Sequence, residues 1–116
     1  MTSAKRLRAV FFRTEQGTEP VRDWLKGLNR EERLAIGTDI MTIEFGLPIG
    51  MPTCRPIGDG LFEVRTNLAD RIARVIFCVD DGQMVLLHGF IKKSQKTPKS
   101  DLERARKRKR QLEVLQ

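Results

Sequence analysis

Two arginines in neighbouring predicted strands are the residues best suited to chemistry in this sequence. Arg65 lies in LFEVRT and Arg74 lies in RIARVIF. If Val64 and Val75 face the core, side-chain alternation puts both guanidinium groups on the opposite, uncovered face of a sheet. Arginine stays charged and meets phosphate with a fork of N–H donors, so the pair could bind the phosphate of a nucleic acid.

The metal-free reaction that fits such a pair is attack of an RNA 2′-hydroxyl on its own neighbouring phosphate. This reaction needs a base, positive charge for the crowded phosphorane and an acid for the leaving 5′-oxygen. Glu63 and His88 are the nearby candidates for the base, and Lys92 or Lys93 is the candidate for the acid. A single histidine and two unclustered cysteines give no metal-ligand pattern, so we expect no metal or other cofactor.

Each candidate also has a purely structural interpretation. Either arginine could form a surface ion pair with Glu63, Asp59 or Asp70. His88 lies among apolar residues in LLHGF, which suits a buried structural histidine as well as a catalytic one. Trp24 falls at helical spacing with apolar neighbours, and we interpret it as a core residue and not as a platform for base stacking.

Positive charge is concentrated in the second half of the chain. The net charge is +7, and residues 59–116 hold thirteen basic and eight acidic side chains against nine and seven in residues 1–58. This asymmetry indicates an anionic partner, most simply nucleic acid or an acidic protein. A solvated helix face is the default interpretation of the 104–110 run, with docking to RNA as an added role. The predicted RNA-binding residues are Lys92, Lys96, Lys99, Arg106, Lys107, Arg108 and Lys109.

The elements that must position these residues follow from periodicity and turn signals. In chain order they are a strand in 7–12, helices in 20–28 and 29–46, strands in 61–66, 72–79 and 83–92, and a last helix that begins between Thr97 and Ser100. The order β-α-α-β-β-β-α predicts one α+β domain over residues 1–116. We expect a small antiparallel sheet with an N-terminal helical hairpin on one face and a basic C-terminal helix.

Local signals support the two N-terminal helices. Thr18 can cap the first helix, and its apolar face is formed by Val21, Trp24, Leu25 and Leu28. Asn29 and Glu32 have the spacing of a capping pair for the second helix. The apolar face of that second helix is predicted from Leu34, Ile40, Ile43 and Leu47.

Several classes of protein are disfavoured by composition. No segment approaches the length of a transmembrane helix, and the apolar run in MTSAKRLRAVFFR is too short for a signal peptide. We therefore expect no membrane partner. Cys54 and Cys78 lack metal-type or redox-type spacing, so we expect free thiols in a reducing cytoplasm.

The motifs together resemble a known family. GDGLFEVR, then R-x-x-R-V-I-F, the hairpin and LLHGFIKKSQKTPKSDLERA occur in the order and spacing of the HigB-like, phage-associated branch of the RelE/ParE toxin superfamily. EPVRDWLKGL and FGLPIGMP are also similar to this branch. The resemblance implies a RelE-like fold and the toxin half of a bacterial type II toxin–antitoxin module. Many such toxins cleave mRNA while it sits in the ribosome, so we expect a metal-independent, ribosome-dependent mRNA endoribonuclease that inhibits translation. Its expected partners are the ribosome, mRNA and a cognate antitoxin, a helix-turn-helix protein encoded next to it.

The sequence departs from part of that superfamily because it contains no tyrosine. Several RelE-like ribonucleases use a tyrosine near the last strand or the C-terminus, and His88 is the natural substitute here. Two alternatives to an mRNA endoribonuclease therefore stay open. One is a ParE-like toxin that poisons DNA gyrase by binding, and the other is a non-enzymatic RNA-binding module.

Overall fold

The computed structural model describes residues 6–46, 54–92 and 96–114. The elements in chain order are β1 (Arg8–Phe11), α1 (Pro20–Lys26), α2 (Arg30–Phe45), β2 (Cys54–Gly58), β3 (Leu61–Asn67), β4 (Ile72–Asp80), β5 (Gln83–Lys92) and α3 (Lys99–Val114). The strands form one sheet in the order β1-β5-β4-β3-β2. The predicted α+β class is confirmed, with five strands where the sequence indicated four.

The strand pairing corrects the expectation of an antiparallel sheet. β2 to β5 form antiparallel neighbours, but β1 pairs parallel to β5, with Arg8 opposite Gln83 and Phe11 opposite Leu86. The sheet is therefore mixed. The end of α2 fixes β1 in this place, since Glu44 Oε2 accepts a hydrogen bond from Ala9 N at 2.8 Å.

Two Asp-Gly turns each connect a pair of antiparallel strands. Asp81 and Gly82 have φ of 51° and 73° between β4 and β5, and Asp59 and Gly60 have φ of 56° and 74° between β2 and β3. Positive φ at both central residues is the turn geometry that matches the twist of a hairpin, and aspartate and glycine tolerate it. The first of these hairpins is the one that the sequence predicts.

The helical hairpin of α1 and α2 begins as its capping signals indicate, with one exception. Glu32 N donates to Asn29 Oδ1 at 2.8 Å and Asn29 N donates to Glu32 Oε1 at 3.1 Å, which confirms the predicted capping pair. The N-cap of α1 is Glu19, so the prediction of Thr18 as the cap was wrong. Gly46 ends α2, as predicted.

The core on the α1/α2 side of the sheet confirms part of the predicted apolar faces. Val64 and Val75 pack with Ile36, Ile40 and Ile43. Leu34, in contrast, is 59% exposed, so its predicted place in this core was wrong; Leu47 lies outside the described residues. Trp24 packs here as expected. It lies so close to β5 that a Cβ on Gly89 would be 2.3 Å from its ring, which explains the glycine in LLHGF.

The second face of the sheet is covered by α3. Ala105 is completely buried there, with Leu102 and Leu112 packed against the same cluster as Leu61 and Ile76. The expectation that this face is uncovered was therefore wrong. The predicted catalytic arginines lie on a face that is shared between solvent and a helix.

Candidate functional site

Arg65 and Arg74 lie directly opposite each other on β3 and β4, as the strand alternation predicts. Their exposures differ: the Arg65 side chain is 11% exposed, and the Arg74 side chain is completely buried. The guanidinium carbon of Arg74 lies 6.0 Å from the centre of the Phe90 ring. Burial lowers the pKa of Arg74, nearby Glu63 opposes this shift, and the positive charges of Arg65 and Arg55 add to it.

Glu63 lies at the centre of this group of charges and has no exposed surface. Its Oε1 accepts a hydrogen bond from Arg65 Nε at 2.7 Å, and its Oε2 lies 3.9 Å from Arg74 Nη1. Oε2 also accepts a hydrogen bond from Thr97 Oγ1 at 2.7 Å. The predicted ion pair between an arginine and Glu63 exists, and it is buried instead of exposed.

Two residues of this group escaped the sequence reasoning. Thr97 belongs to the KKSQKTP segment, and its hydroxyl joins that segment to β3 through Glu63. Arg55 lies opposite Glu63 on β2 and is exposed. The sequence does not show that β2 exists, so Arg55 could not be placed beside Glu63. It also does not show that the chain before α3 returns to β3, so Thr97 could not be placed there. Arg55, Arg65 and Arg74 with the Glu63 carboxylate and Thr97 are called the arginine cluster below.

His88 lies on β5 away from the arginine cluster. Ile76 of β4 separates it from Glu63, which corresponds to two strand spacings, or roughly 10 Å. Its Nε2–H donates to Asp101 Oδ1 at 2.7 Å, and its Nδ1 accepts from Arg108 Nη1 at 3.3 Å; these partners assign the tautomer. Burial lowers the pKa of His88, and the nearby Asp101 opposes the shift.

This arrangement connects α3 to the sheet. Arg108 Nη1 also donates to the backbone oxygen of Leu87 at 2.8 Å, so the helix is held at its first turn by Asp101 and at its third by Arg108. Both ring nitrogens of His88 are engaged and the residue is 8% exposed. The contacts favour the structural interpretation of His88 over the role of base.

Three of the predicted lysines lie at the end of β5 and around the start of α3. Lys92 ends β5 opposite Ile72, and Lys96 and Lys99 precede and begin α3; all three lysines are exposed. Lys93, the other candidate for the acid, lies outside the described residues. The structure therefore places one of the two candidate acids at the end of β5.

The basic run of α3 divides into two sets. Arg106 Nε pairs with Asp59, and Lys109 Nζ donates to Glu113 at 2.8 Å. Arg106, Arg108 and Lys109 therefore each contact the body of the protein or neutralise a carboxylate. The exposed cations of the 104–110 run, here called the outer basic face, follow one another at spacings of three and are Arg104, Lys107 and Arg110. Of the predicted docking residues in 106–109, Lys107 alone belongs to this face.

Within residues 6–46, 54–92 and 96–114, no three side chains of histidine, cysteine, aspartate or glutamate lie together as a metal site would require. In the same residues, no helix is both long and apolar enough to cross a membrane.

These observations define a class of protein. It is a small α+β domain with buried arginine–carboxylate pairs between its sheet and a basic helix. The family model described as phage derived protein Gp49-like (DUF891) matches residues 23–110, so the chain belongs to this family. The family is RelE-like and toxin-like, which supports the resemblance to toxins and suggests a cognate antitoxin. A search of curated proteins found no match.

Proposed function

We propose that this chain is the toxin of a type II toxin–antitoxin module of the HigB-like branch and that it cleaves mRNA in the ribosome without a metal ion. The observation that carries the proposal is the arginine cluster. In this cluster the buried Glu63 carboxylate orients the partly exposed Arg65, which lies beside the guanidinium groups of Arg74 and Arg55. Membership in a RelE-like toxin family supports the same class of activity.

The proposed reaction is attack of the RNA 2′-hydroxyl on the adjacent phosphate with loss of the 5′-oxygen. Arg65 contacts the phosphate, because it is the partly exposed member of the pair and is fixed through its Nε. A guanidinium held in this way presents its Nη groups in a constant direction, and such preorganised charge stabilises a developing anion most strongly. Arg74, buried beside it on β4, raises the positive potential at the same point.

Proton transfer is assigned differently from the sequence prediction. Both oxygens of Glu63 are hydrogen-bonded and buried, so we assign it to positioning Arg65 instead of to general base catalysis. His88 is assigned to holding α3. Lys92 or Lys93 remains the candidate for the acid, and we propose that solvent or the ordered substrate accepts the 2′-hydroxyl proton.

Docking on the ribosome is assigned to the outer basic face and to Lys96 and Lys99. These cations are exposed on the same helix and on the segment before it. Contacts of this kind attract the RNA backbone without reading its sequence, and they release counterions. We therefore expect affinity to fall steeply with salt while specificity comes from the order that the ribosome imposes on the message.

A binding-only RNA module is the second candidate function. The engagement of Glu63 and His88 favours it, because both candidate bases are hydrogen-bonded in the folded chain. Such a protein would use the same arginine cluster and outer basic face, and it would inhibit translation by occupancy without cutting RNA.

The test is brief induction in bacterial cells followed by mapping of mRNA 5′ ends, with the Arg65→Ala variant as the matched control. New ends within translated frames, absent in the variant, are expected for the ribonuclease. Ribosome association without new ends would replace it with the binding-only module. Intact mRNA accompanied by DNA damage would overturn both in favour of gyrase poisoning.

A further inference from the structure

A cavity lies between one side of α2 and the end of β3, and it is called the α2–β3 cavity below. Its volume is about 400 Å³, which is within the range of small-molecule sites in proteins. Arg65 of the arginine cluster forms part of its wall, so a ligand in the cavity lies next to the residue assigned to the phosphate. The other lining residues, which the proposed reaction does not use, are Ala35, Thr38, Asp39, Thr66 and Asn67.

Asp39 is the acidic residue of the α2 wall. Its side chain is half-buried, and no residue in the described part of the chain gives that side chain an ion pair or a hydrogen bond. Glu32 on the same helix differs, because it pairs with Arg71. A carboxylate that is partly withdrawn from water and lacks a partner gains most from a ligand that donates hydrogen bonds.

Thr66 is a second polar residue without a partner, on the β3 wall. Strand alternation directs its side chain to the same face of the sheet as Val64, which is the α2 side. Thr66 is 3% exposed, and among the described residues its hydroxyl has no hydrogen-bond partner. Thr38 on the facing wall differs, because its hydroxyl donates to Leu34 O at 2.8 Å. A buried hydroxyl without a partner costs free energy, and a polar ligand in the cavity would remove that cost.

The charges of the cavity determine which part of a nucleotide can enter it. Asp39 repels a phosphate group, whereas Arg65 attracts one, so the base and not the phosphate is the part that fits beside Asp39. Unstacked bases in single-stranded RNA are available for hydrogen bonds on their Watson–Crick edges. The cavity therefore suits the base of a nucleotide whose phosphate lies at Arg65.

The carboxylate of Asp39 favours one base over the others. A carboxylate offers two acceptors side by side and no donor. Guanine has two adjacent donors on its Watson–Crick edge, N1–H and the 2-amino group. Adenine and cytosine have one amino donor beside a ring nitrogen that accepts, and uracil has one donor between two carbonyl groups. With each of those three bases an acceptor would face the carboxylate.

We propose that the α2–β3 cavity binds the guanine base of the nucleotide whose phosphate contacts Arg65. Asp39 accepts hydrogen bonds from N1–H and the 2-amino group, and the Thr66 hydroxyl donates to O6. Asp39 is then the residue that determines specificity, and cleavage is expected next to a guanine. The place of the phosphate rests on the proposed function, whereas binding of the base requires no cleavage.

The first test measures binding of mononucleotides to the whole chain by NMR titration with GMP, AMP, CMP and UMP. GMP should bind about tenfold more tightly than the other three, the scale of one bidentate base contact. Asp39→Asn should move the preference to AMP or CMP, because an amide presents a donor beside an acceptor. Asp23→Asn, the same change at an exposed position of α1, is the control and should bind like wild type.

Thr66→Val tests the second contact, because valine keeps the shape of threonine and removes the hydroxyl. This variant should bind GMP at least threefold more weakly, while its melting temperature stays the same or rises. A folding defect would instead lower the melting temperature. Equal binding of all four mononucleotides, no binding at millimolar concentration, or unchanged GMP binding by both Asp39→Asn and Thr66→Val overturns the proposal.

The second test maps cleavage sites in cells for wild type and Asp39→Asn. Guanine should be enriched next to the wild-type cuts, and the enrichment should change to adenine or cytosine in the variant. Cuts without a preference for guanine, unchanged by Asp39→Asn, overturn the guanine site and leave the ribonuclease standing. Binding of GMP that depends on Asp39, in a chain that cuts no RNA, supports the guanine site and removes the ribonuclease.

Discussion

The Glu63 carboxylate joins Arg65 to Thr97, two residues that are far apart in the sequence. One oxygen accepts from Arg65 Nε and the other from Thr97 Oγ1, each at 2.7 Å. A buried anion thereby fixes both a guanidinium on β3 and the segment that leads into α3. Any change at Thr97 should therefore reach Arg65 through the carboxylate that they share.

Thr97→Val should lower the rate of RNA cleavage by roughly tenfold, the scale of one hydrogen bond to a charged group. Valine keeps the shape of threonine and removes the donor, while Thr97→Ser keeps the donor and is the matched control. The measurement is single-turnover cleavage by programmed ribosomes, with a thermal melt of each variant. Equal rates for valine, serine and wild type would show that the Glu63–Thr97 contact does not position the site.

Arg65→Ala should lower the cleavage step by roughly two to three orders of magnitude, the scale for removing one preorganised charge partner. Ribosome binding should change much less, because most of the attraction lies on α3. Arg65→Lys should not restore activity, since lysine has one nitrogen and cannot both bind Glu63, as Arg65 Nε does, and present a fork of donors to phosphate. If a folded Arg65→Ala variant kept full toxicity, the role of Arg65 would be limited to its ion pair with Glu63.

Arg74→Ala should destabilise the fold, because it removes a completely buried side chain and leaves Glu63 with less compensating charge. Loss of one partner from a buried charge pair costs about 3–5 kcal/mol. Arg74→Met keeps most of the volume and should recover part of the packing on Phe90. Urea unfolding measures both. An Arg74→Ala variant as stable as wild type would contradict the buried role, and loss of toxicity alone would not separate catalysis from folding.

The fold could be predicted where local chemistry decides the structure. The Asp81-Gly82 turn depends on adjacent residues, the Asn29–Glu32 capping pair on residues three apart, and the shared face of Arg65 and Arg74 on a two-residue period. Strand alternation therefore gave the right face for both arginines. It could not tell that the face is covered, since α3 packs there through a cluster that brings Ala105 together with distant residues such as Leu61.

The predictions that were wrong all concern features that tertiary contacts decide. β2 was missed because CRPIG contains proline and glycine, which disfavour strands, and pairing with β3 overrides that preference. Leu34 was assigned to the core because it is apolar, although its helix buries Ile36 instead. Glu63 and His88 were the candidates for the base, and the partners Thr97 and Asp101 that engage them lie at least 13 residues away in the chain.

The stability of the protein should depend on pH through His88. Burial lowers its pKa in the folded state below the ordinary value of 6.5. The unfolded chain then binds the proton more readily, so the free energy of unfolding decreases as pH falls from about 6.5 through the folded pKa. Urea unfolding at a series of pH values measures this. His88→Gln, which can still donate to Asp101, should show a smaller decrease, and an identical pH dependence in the two proteins would contradict the burial effect.

The outer basic face can be separated from the basic residues that hold α3. Replacing Arg104, Lys107 and Arg110 together with glutamine removes three exposed cations without breaking a described ion pair. We expect the fold to survive and ribosome affinity to fall. The slope of log K against log salt should become shallower by about 2 to 3, because each phosphate contact contributes about 0.7 to 0.9. Cleavage at saturating enzyme should stay close to wild type.

The matched control replaces Arg106, Arg108 and Lys109, which changes the charge by the same amount. This triple variant breaks the contacts to Asp59, Leu87, His88 and Glu113. We expect it to lower the melting temperature, because Arg108 is one of the contacts that hold α3 to β5. If the two triple variants lose affinity equally and neither loses stability, the basic run contributes to ribosome binding only through its total charge. A larger salt effect for the outer face and a larger melting effect for the control would assign the two sets to docking and to folding.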